Sequence, residues 1–418
     1  MNTEQTHGDG GDVILQAFHW NLVKTQGTGT VDGRDESWYA ILKTSIERIA
    51  ASGCTVLYLP PPWRDDSAWE SNGRHGGGEG YYWHDFSLDS RYGTKAELVA
   101  LVDAAHRNGL KVIVDIVLNH RDGGRMEADI WPWPGPCWRN GGADSGGAFM
   151  DGRFDLALNE PMVQERIRRA LEELSVDCGV DGWRWDYVWG YDPQDVVHWL
   201  GLTKKKEYIS IGEYWQSSND RSDDPLIQRY GRDEGARIIG WAAETGCLAY
   251  DIVLKRQIQT AHPANLRWGL NMSPDRAVRE SVMTFVDNHD MGASPWSAAN
   301  GWGQQCWPCP PEFKSKAYAF ILTAPGIPCV YWPDCYDWGF EWMISALIRL
   351  RQARGVTAGS SWHEVGGGYS GFAYAVSGRE GKDALIVSLG SDYPGPGKGW
   401  KIALSQPGEW IVWEPDEG

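Results

Sequence analysis

The chain has 418 residues, 42% hydrophobic and 23% charged, enough apolar side chain to bury a large core and too much for a disordered protein. Its 39 basic against 56 acidic residues leave a formal charge of −17, which repels phosphate backbones and anionic lipid, so neither nucleic acid nor membrane is expected as a partner. The opening "MNTEQTHGDGGD" has no basic region followed by an apolar core, so no signal peptide is legible, and the eight cysteines with one CxxC pair, Cys306 and Cys309, fit neither a small disulfide scaffold nor a clean zinc site.

Strand-like apolar runs alternate with amphipathic helical runs along most of the chain. The strand candidates are 13–20, 55–62, 111–120, 182–189, 207–215, 248–254, 281–290 and 327–332. Between them, "WYAILKTSIERIAASG", "KAELVALVDAAHRNG" and "EWMISALIRLRQARG" place apolar residues near i, i+3, i+4 and i+7 and end in Gly, the pattern of surface helices. The uncharged stretch 317–333 is broken by Pro325, Gly326 and Pro328, so it reads as a buried helix turning into a buried strand rather than a membrane span. Eight βα units imply an α/β fold, a TIM (β/α)8 barrel, whose active site lies at the C-terminal strand ends.

Two segments leave the alternation. Residues 121–158, rich in Gly, Pro and Trp, form an irregular excursion after strand 3. From 359 to 418, short alternating runs separated by Gly and Pro predict a small C-terminal antiparallel β domain, which leaves 1–120 and 159–358 for the catalytic barrel.

The polar residues gather at the expected strand ends. Strand 3 ends in Asp115, Asn119 and His120, strand 4 carries Arg184 and Asp186, strand 5 carries Glu213, and strand 7 ends in His289 and Asp290. Cleaving a glycosidic bond takes one carboxylic acid to protonate the leaving oxygen and a second carboxylate to meet the developing oxocarbenium carbon. Asp186 and Glu213, on adjacent strands, suit that pair, with Asp290 as a third carboxylate on sugar hydroxyls. Arg184, two residues before Asp186 and on the same strand face, is expected to hold Asp186 ionised. The 25 tryptophans exceed what a core needs, and indole faces stack on pyranose rings.

The stretches "DIVLNH", "GWRWDYVWG", "IGEYW" and "FVDNHD" resemble, in order, the four short motifs of the α-amylase family, glycoside hydrolase family 13, and "GEGYYWHD" and "FDLALNEP" resemble two further segments of it. The resemblance implies Asp186 as nucleophile, Glu213 as general acid/base and Asp290 as transition-state stabiliser, with His120, His289, Arg184 and Tyr81 around the sugar being cleaved. Within the family, "ILQAFHWN", "PWRDDSAW", "GGGEGYYWHDF" and "VYWPDCYDWG" are similar to bacterial maltotetraose-forming exo-amylases. That likeness makes Trp69 an aromatic platform four sugars from the cut and adds Trp20 and Glu79 to the substrate-binding set. It also implies Ca²⁺ on Asn119, Asp144, Asp155 and the carbonyl of Gly190, hard oxygen donors that suit the ion.

Some positions depart from the relatives' pattern. Arg153 stands where an acid is expected to grip the non-reducing chain end, with Asp151 in place of a Gly, and Gly147 replaces a calcium-binding Asp. Cys247 aligns with half of a disulfide whose other half is Ser210 in this chain. The sequence therefore predicts a retaining hydrolase of α-1,4-glucosidic bonds in starch, glycogen or maltooligosaccharides that releases short products and acts as a monomer. A strict maltotetraose-forming exo-amylase and a transglycosylase of the same family are the alternatives, and a non-catalytic carbohydrate-binding protein is the reading from another class. Reduced cysteines and an initial Met lean towards the cytoplasm, and a secreted mature fragment is the other possibility.

Overall fold

The computed structural model describes residues 10–20, 22, 36–65, 79–122, 155–202, 209–215, 225–300, 307–390 and 393–417. Expectations that fall on Trp69, Asp144, Gly147, Asp151 and Arg153, and on most of the 121–158 excursion, lie outside these residues.

Eight strands close a barrel in chain order. They are β1 (Ile14–Gln16), β2 (Val56–Leu59), β3 (Lys111–Ile116), β4 (Gly182–Trp185), β5 (Ile209–Gly212), β6 (Leu248–Tyr250), β7 (Val282–Phe285) and β8 (Ile327–Tyr331). The chain forms two compact units, one of Met1–Thr6, Trp20–Glu47 and Leu57–Ala249, the other of His7–His19, Arg48–Val56 and Tyr250–Gly418.

In the first unit, β3, β4 and β5 pair in parallel, with Asp115 beside Arg184 and Trp185 beside Gly212. These strands are buried almost throughout, as expected where helices cover the outer face of a parallel sheet. Helix Lys95–Arg107 shows how the sequence sets such a cover. Thr94 and Glu97 form a reciprocal capping box, Leu98, Leu101, Val102 and Ala105 face inward, and Gly109 with φ +75° lets the chain turn away.

In the second unit, β1 and β7 flank β8 in parallel register. The stretch expected to be a buried helix and strand is one: helix Lys314–Thr323 leads into β8, both buried. The sixth strand candidate, 248–254, is corrected. Only Leu248–Tyr250 is strand, because the Asp251 carboxylate accepts the amide of Leu254 and caps helix Ile252–Gln259.

After helix Glu341–Ala353 comes an antiparallel sheet of β9 (Trp362–Gly366), β10 (Phe372–Ser377), β11 (Asp383–Leu389), β12 (Trp400–Gln406) and β13 (Trp410–Pro415), in the order β12-β13-β11-β10-β9. Ala375, Ile386 and Trp413 form the centre of one apolar cluster on this sheet. Strand β9 lies inside the 359–418 segment expected to be antiparallel β. It is an edge strand with His363 and Glu364 exposed, and so shows no clear apolar alternation.

Candidate active site

The carboxylates expected at the C-terminal strand ends lie there. Asp186 and Glu213 each fall one residue beyond their strands, on β4 and β5. Their backbones extend the ladder one step past the strand: the amide of Asp186 donates to Ile116 O at 3.0 Å, and that of Glu213 to Trp185 O at 3.0 Å. Both carboxylates are thereby fixed to adjoining strands rather than to a mobile loop.

Between them lies the guanidinium of Arg184, wholly buried. Its Nη1 reaches Asp115 Oδ1 at 2.8 Å and Asp186 Oδ1 at 2.6 Å, while Nη2 lies 2.8 Å from Glu213 Oε1. The planar fork of arginine lets one cation hold several carboxylates in fixed directions, where a lysine offers a single point charge on a flexible stem. The second oxygen of Asp115 accepts the hydroxyls of Tyr58 at 2.7 Å and Tyr81 at 2.8 Å. Tyr81 also stacks on Trp20, with ring centroids 5.1 Å apart.

Arg184 pulls the Asp186 carboxyl down, the direction expected of it, against the opposing effect of burial. Burial pushes the Asp186 carboxyl above its usual value, and the attraction of Arg184 offsets only part of this. Burial likewise pushes Asp115 up to about 6, with Arg184 pulling down and Asp186 repelling. The physical reason is desolvation, which disfavours the charged form of both carboxyls more than the buried guanidinium favours it.

Tyr187, the residue after Asp186, has φ +51°, a left-handed conformation that a tyrosine seldom adopts. Its amide points to Glu213 Oε2 at 3.3 Å, so the strained turn supplies a backbone contact to the second carboxylate. His120 is buried, hydrogen-bonds to the backbone of Tyr81, and is pushed by burial down to about 3, so its imidazole is neutral at physiological pH. Glu79 is buried, and its carbonyl accepts the hydroxyl of Tyr92 at 3.2 Å.

The second unit carries the end of β7. His289 Nδ1 meets Gln16 Nε2 at 2.7 Å, and because an amide nitrogen can only donate, the ring proton sits on Nε2, which faces Asp290 Oδ2 at 3.3 Å. Phe18 packs against the imidazole, with centroids 4.9 Å apart. The Asn288 side chain accepts the amides of Asp290 and Met291 and closes the turn. Below it, buried Asp287 is paired with Lys255 at 2.8 Å and Lys314 at 3.0 Å, and Lys314 continues to Asp334. Burial pushes Asp287 up, but the two ammonium groups together hold it below the usual range.

This ionic platform went unnoticed in the sequence, as did Tyr58 and the turn at Tyr187. The partners lie on different elements, and nothing in local spacing joins them. "FVDNHD" did place Asp287 at the strand end, an acidic residue in an apolar run that needs a buried cation.

Of the residues expected to hold calcium, three are described and they converge. Asn119 Nδ2 donates to Asp155 Oδ1 at 3.1 Å, both side chains are buried, and residues 120 and 155 form an antiparallel bridge. Gly190 lies so close that a Cβ there would be 2.2 Å from Asn119 Oδ1. Among the described residues no group of three or more His, Cys, Asp or Glu side chains could hold a metal, but the expected set draws on an amide and a carbonyl instead. Cys247, pushed by burial up to about 11, hydrogen-bonds to Ser210, so the two positions are neighbours without a bridge. The six described cysteines, 54, 178, 247, 309, 329 and 335, are all free and buried. Among the described residues no helix is long and apolar enough to cross a membrane.

Two carboxylates on neighbouring strand ends of a (β/α)8 barrel, sharing one buried arginine, place the chain among the barrel glycoside hydrolases. Residues 43–125 match the alpha amylase catalytic domain, and 336–399 match domain C of glucan 1,4-alpha-maltotetraohydrolase. The chain is 37% identical to the glucan 1,4-alpha-maltotetraohydrolase of Roseateles saccharophilus, over 99% of this chain and 74% of that protein. With the enzyme of the same name from Stutzerimonas stutzeri it shares 38% identity over 95% of this chain and 71% of the relative. Among solved structures, an Anoxybacillus alpha-amylase superposes with a TM-score of 0.70 at 17% identity, covering 98% of this chain and 99% of that one. The chain belongs to the α-amylase family, glycoside hydrolase family 13.

Proposed function

We propose that this protein hydrolyses α-1,4-glucosidic bonds of starch, glycogen or maltooligosaccharides with retention of anomeric configuration. The observation that carries the reading is the attachment of Asp186 and Glu213 to one guanidinium. It keeps the two carboxyl groups close, and closely spaced carboxyls, roughly 5 to 5.5 Å apart, go with a covalent intermediate rather than a water between them. Asp186 attacks the anomeric carbon while Glu213 protonates the leaving glycosidic oxygen. Glu213, now a carboxylate, then takes a proton from the water that releases Asp186. Asp290 and His289 take the sugar-hydroxyl roles that the family resemblance gives them, and the same resemblance assigns Tyr81, His120 and Arg184 to the sugar being cleaved and Trp20 and Glu79 to the rest of the glucan.

Ca²⁺ belongs to this proposal. Asn119, Asp155, Asp144 and the Gly190 carbonyl would hold it, and the bound ion would supply a cross-link between the barrel and the 121–158 segment. Product length is set elsewhere. Trp69 offers stacking, and Arg153 offers donors only where a carboxylate would accept hydroxyls of a terminal glucose. End recognition is then relaxed, and the products are a mixture of short maltooligosaccharides.

Asp186→Asn and Glu213→Gln test the assignment. Each is expected to lower kcat by several orders of magnitude, because nucleophile and acid act as one unit. Retention of more than about a tenth of the wild-type rate by either variant removes the assignment.

A further inference from the structure

Away from the catalytic strand ends, the second unit has a solvent-facing cavity of about 340 Å³ lined by His262, Asn265, Arg267, Trp268 and Tyr369 among others. Its volume lies in the range of small-molecule sites. Trp268 is 66% exposed and Tyr369 is 93% exposed, so two large aromatic side chains stand in water at the rim of one concavity. Burying either would release free energy that the fold itself does not collect.

Within the second unit, the cavity is separate from the Asp290 end of β7. Helix Ile252–Gln259 starts just after β6 and, as a crossover helix, runs back along the barrel for about 12 Å. The turn Pro263–Trp268 that follows it therefore lies towards the N-terminal strand ends, opposite the end that carries Asp290. Tyr369 comes from the connection between β9 and β10, which brings the small sheet to the same cavity.

The chemistry favours a neutral, hydroxylated ligand. Arg267 is committed, since Nη1 pairs with Glu364 at 3.0 Å, Nε donates to Ala264 O at 2.7 Å, and the guanidinium lies over the Phe372 ring. No uncompensated arginine charge is left to draw an anion. Asn265 uses one amide hydrogen on Thr260 Oγ1 at 2.9 Å, and its oxygen and second hydrogen have no partner among the described residues. His262 sets its ring edge-on to Tyr369 at 5.8 Å, and its Nδ1 is buried without a partner. Aromatic faces for C–H surfaces, with amide and imidazole groups beside them for hydroxyls, make a combination that recognises a sugar ring.

We propose that this cavity is a second, non-catalytic binding site for an α-1,4-glucan, with Trp268 and Tyr369 as its stacking platforms. The proposal rests on the α-glucan reading above. Its role is to hold a polymeric substrate while the strand-end site works on another part of the same chain. Attachment at two places raises the effective concentration of substrate without any new contact at the catalytic end.

Affinity electrophoresis of the full chain through gels containing amylopectin tests this, with maltoheptaose turnover measured on the same preparations. The double variant Trp268→Ala/Tyr369→Ala is expected to bind amylopectin about tenfold more weakly or worse, with kcat/KM on maltoheptaose unchanged. Trp268→Phe keeps an aromatic face and is expected to be retarded more than Trp268→Ala. Equal retardation of wild type and double variant, or equal retardation of the wild type by hydroxyethylcellulose, overturns the site. Failure of the α-glucan reading shows separately, as absence of maltoheptaose hydrolysis by the wild type.

Discussion

Arg184→Lys keeps the charge at the centre of the acid cluster and removes the fork. In the structure Nη1 serves Asp115 and Asp186 and Nη2 serves Glu213, whereas a single ammonium on a flexible stem cannot hold all three positions. A charge-assisted hydrogen bond contributes about 1.5–3 kcal/mol, so losing one or two of these contacts costs about 3 kcal/mol, or roughly a hundredfold in kcat/KM. The pH profile carries the sharper signature. Burial already pushes Asp186 up, and Arg184 is what pulls it down. A weaker pull raises the carboxyl further, so the ionised nucleophile is depleted at pH values where the wild type still has it. The acid limb of kcat/KM, measured on a chromogenic maltooligosaccharide, is therefore expected to move to higher pH. A variant within threefold of wild type with an unmoved acid limb refutes the claim that this arginine organises the site.

Three further outcomes are expected. Asp287→Asn leaves Lys255 and Lys314 facing a neutral amide in a buried site and is expected to cost about 3 kcal/mol, read from the urea midpoint; a change under about 0.5 kcal/mol shows the platform to be dispensable. Chelation with EDTA should lower the melting temperature of the wild type and leave that of Asn119→Ala unmoved, since a ligand at about a hundred times its Kd stabilises the native state by about 2.7 kcal/mol; identical shifts in both would place the metal elsewhere. An end-blocked maltoheptaoside should be cleaved, giving mixed short products, because Arg153 lacks the acceptor oxygens to grip a chain end. Inertness of that substrate, with maltotetraose alone from the unblocked sugar, would show strict exo action.

Much of the fold was legible because the signals were local. The apolar strand runs are buried on both faces, and helices such as Lys95–Arg107 announce themselves through cap, stripe and terminal Gly. Where a local signal had two solutions, the sequence misled: "DIVL" reads as strand by composition, yet Asp251 caps a helix there. The edge strand β9 lay inside the expected β segment, though its own apolar pattern is weak. At the site, the carboxylates stood out because strand ends rarely concentrate acid, amide and imidazole. Their electrostatics did not, because how far burial outweighs Arg184 depends on how deeply the folded chain buries the carboxyl. Asp115 and the Lys255–Asp287–Lys314–Asp334 chain depend on contacts across many residues of separation, which only the folded chain reveals.

The central claim is double displacement by Asp186 and Glu213 on an α-glucosidic bond. Proton NMR of maltopentaose in the first minutes of hydrolysis, before mutarotation equilibrates the new reducing ends, tests it directly. Each displacement inverts the anomeric carbon, so two in sequence return it to its starting configuration. Double displacement predicts that the first signals to grow are those of the α-anomer. First appearance of the β-anomer would mean a single displacement by water, and would contradict both the nucleophilic role of Asp186 and the acid/base role of Glu213.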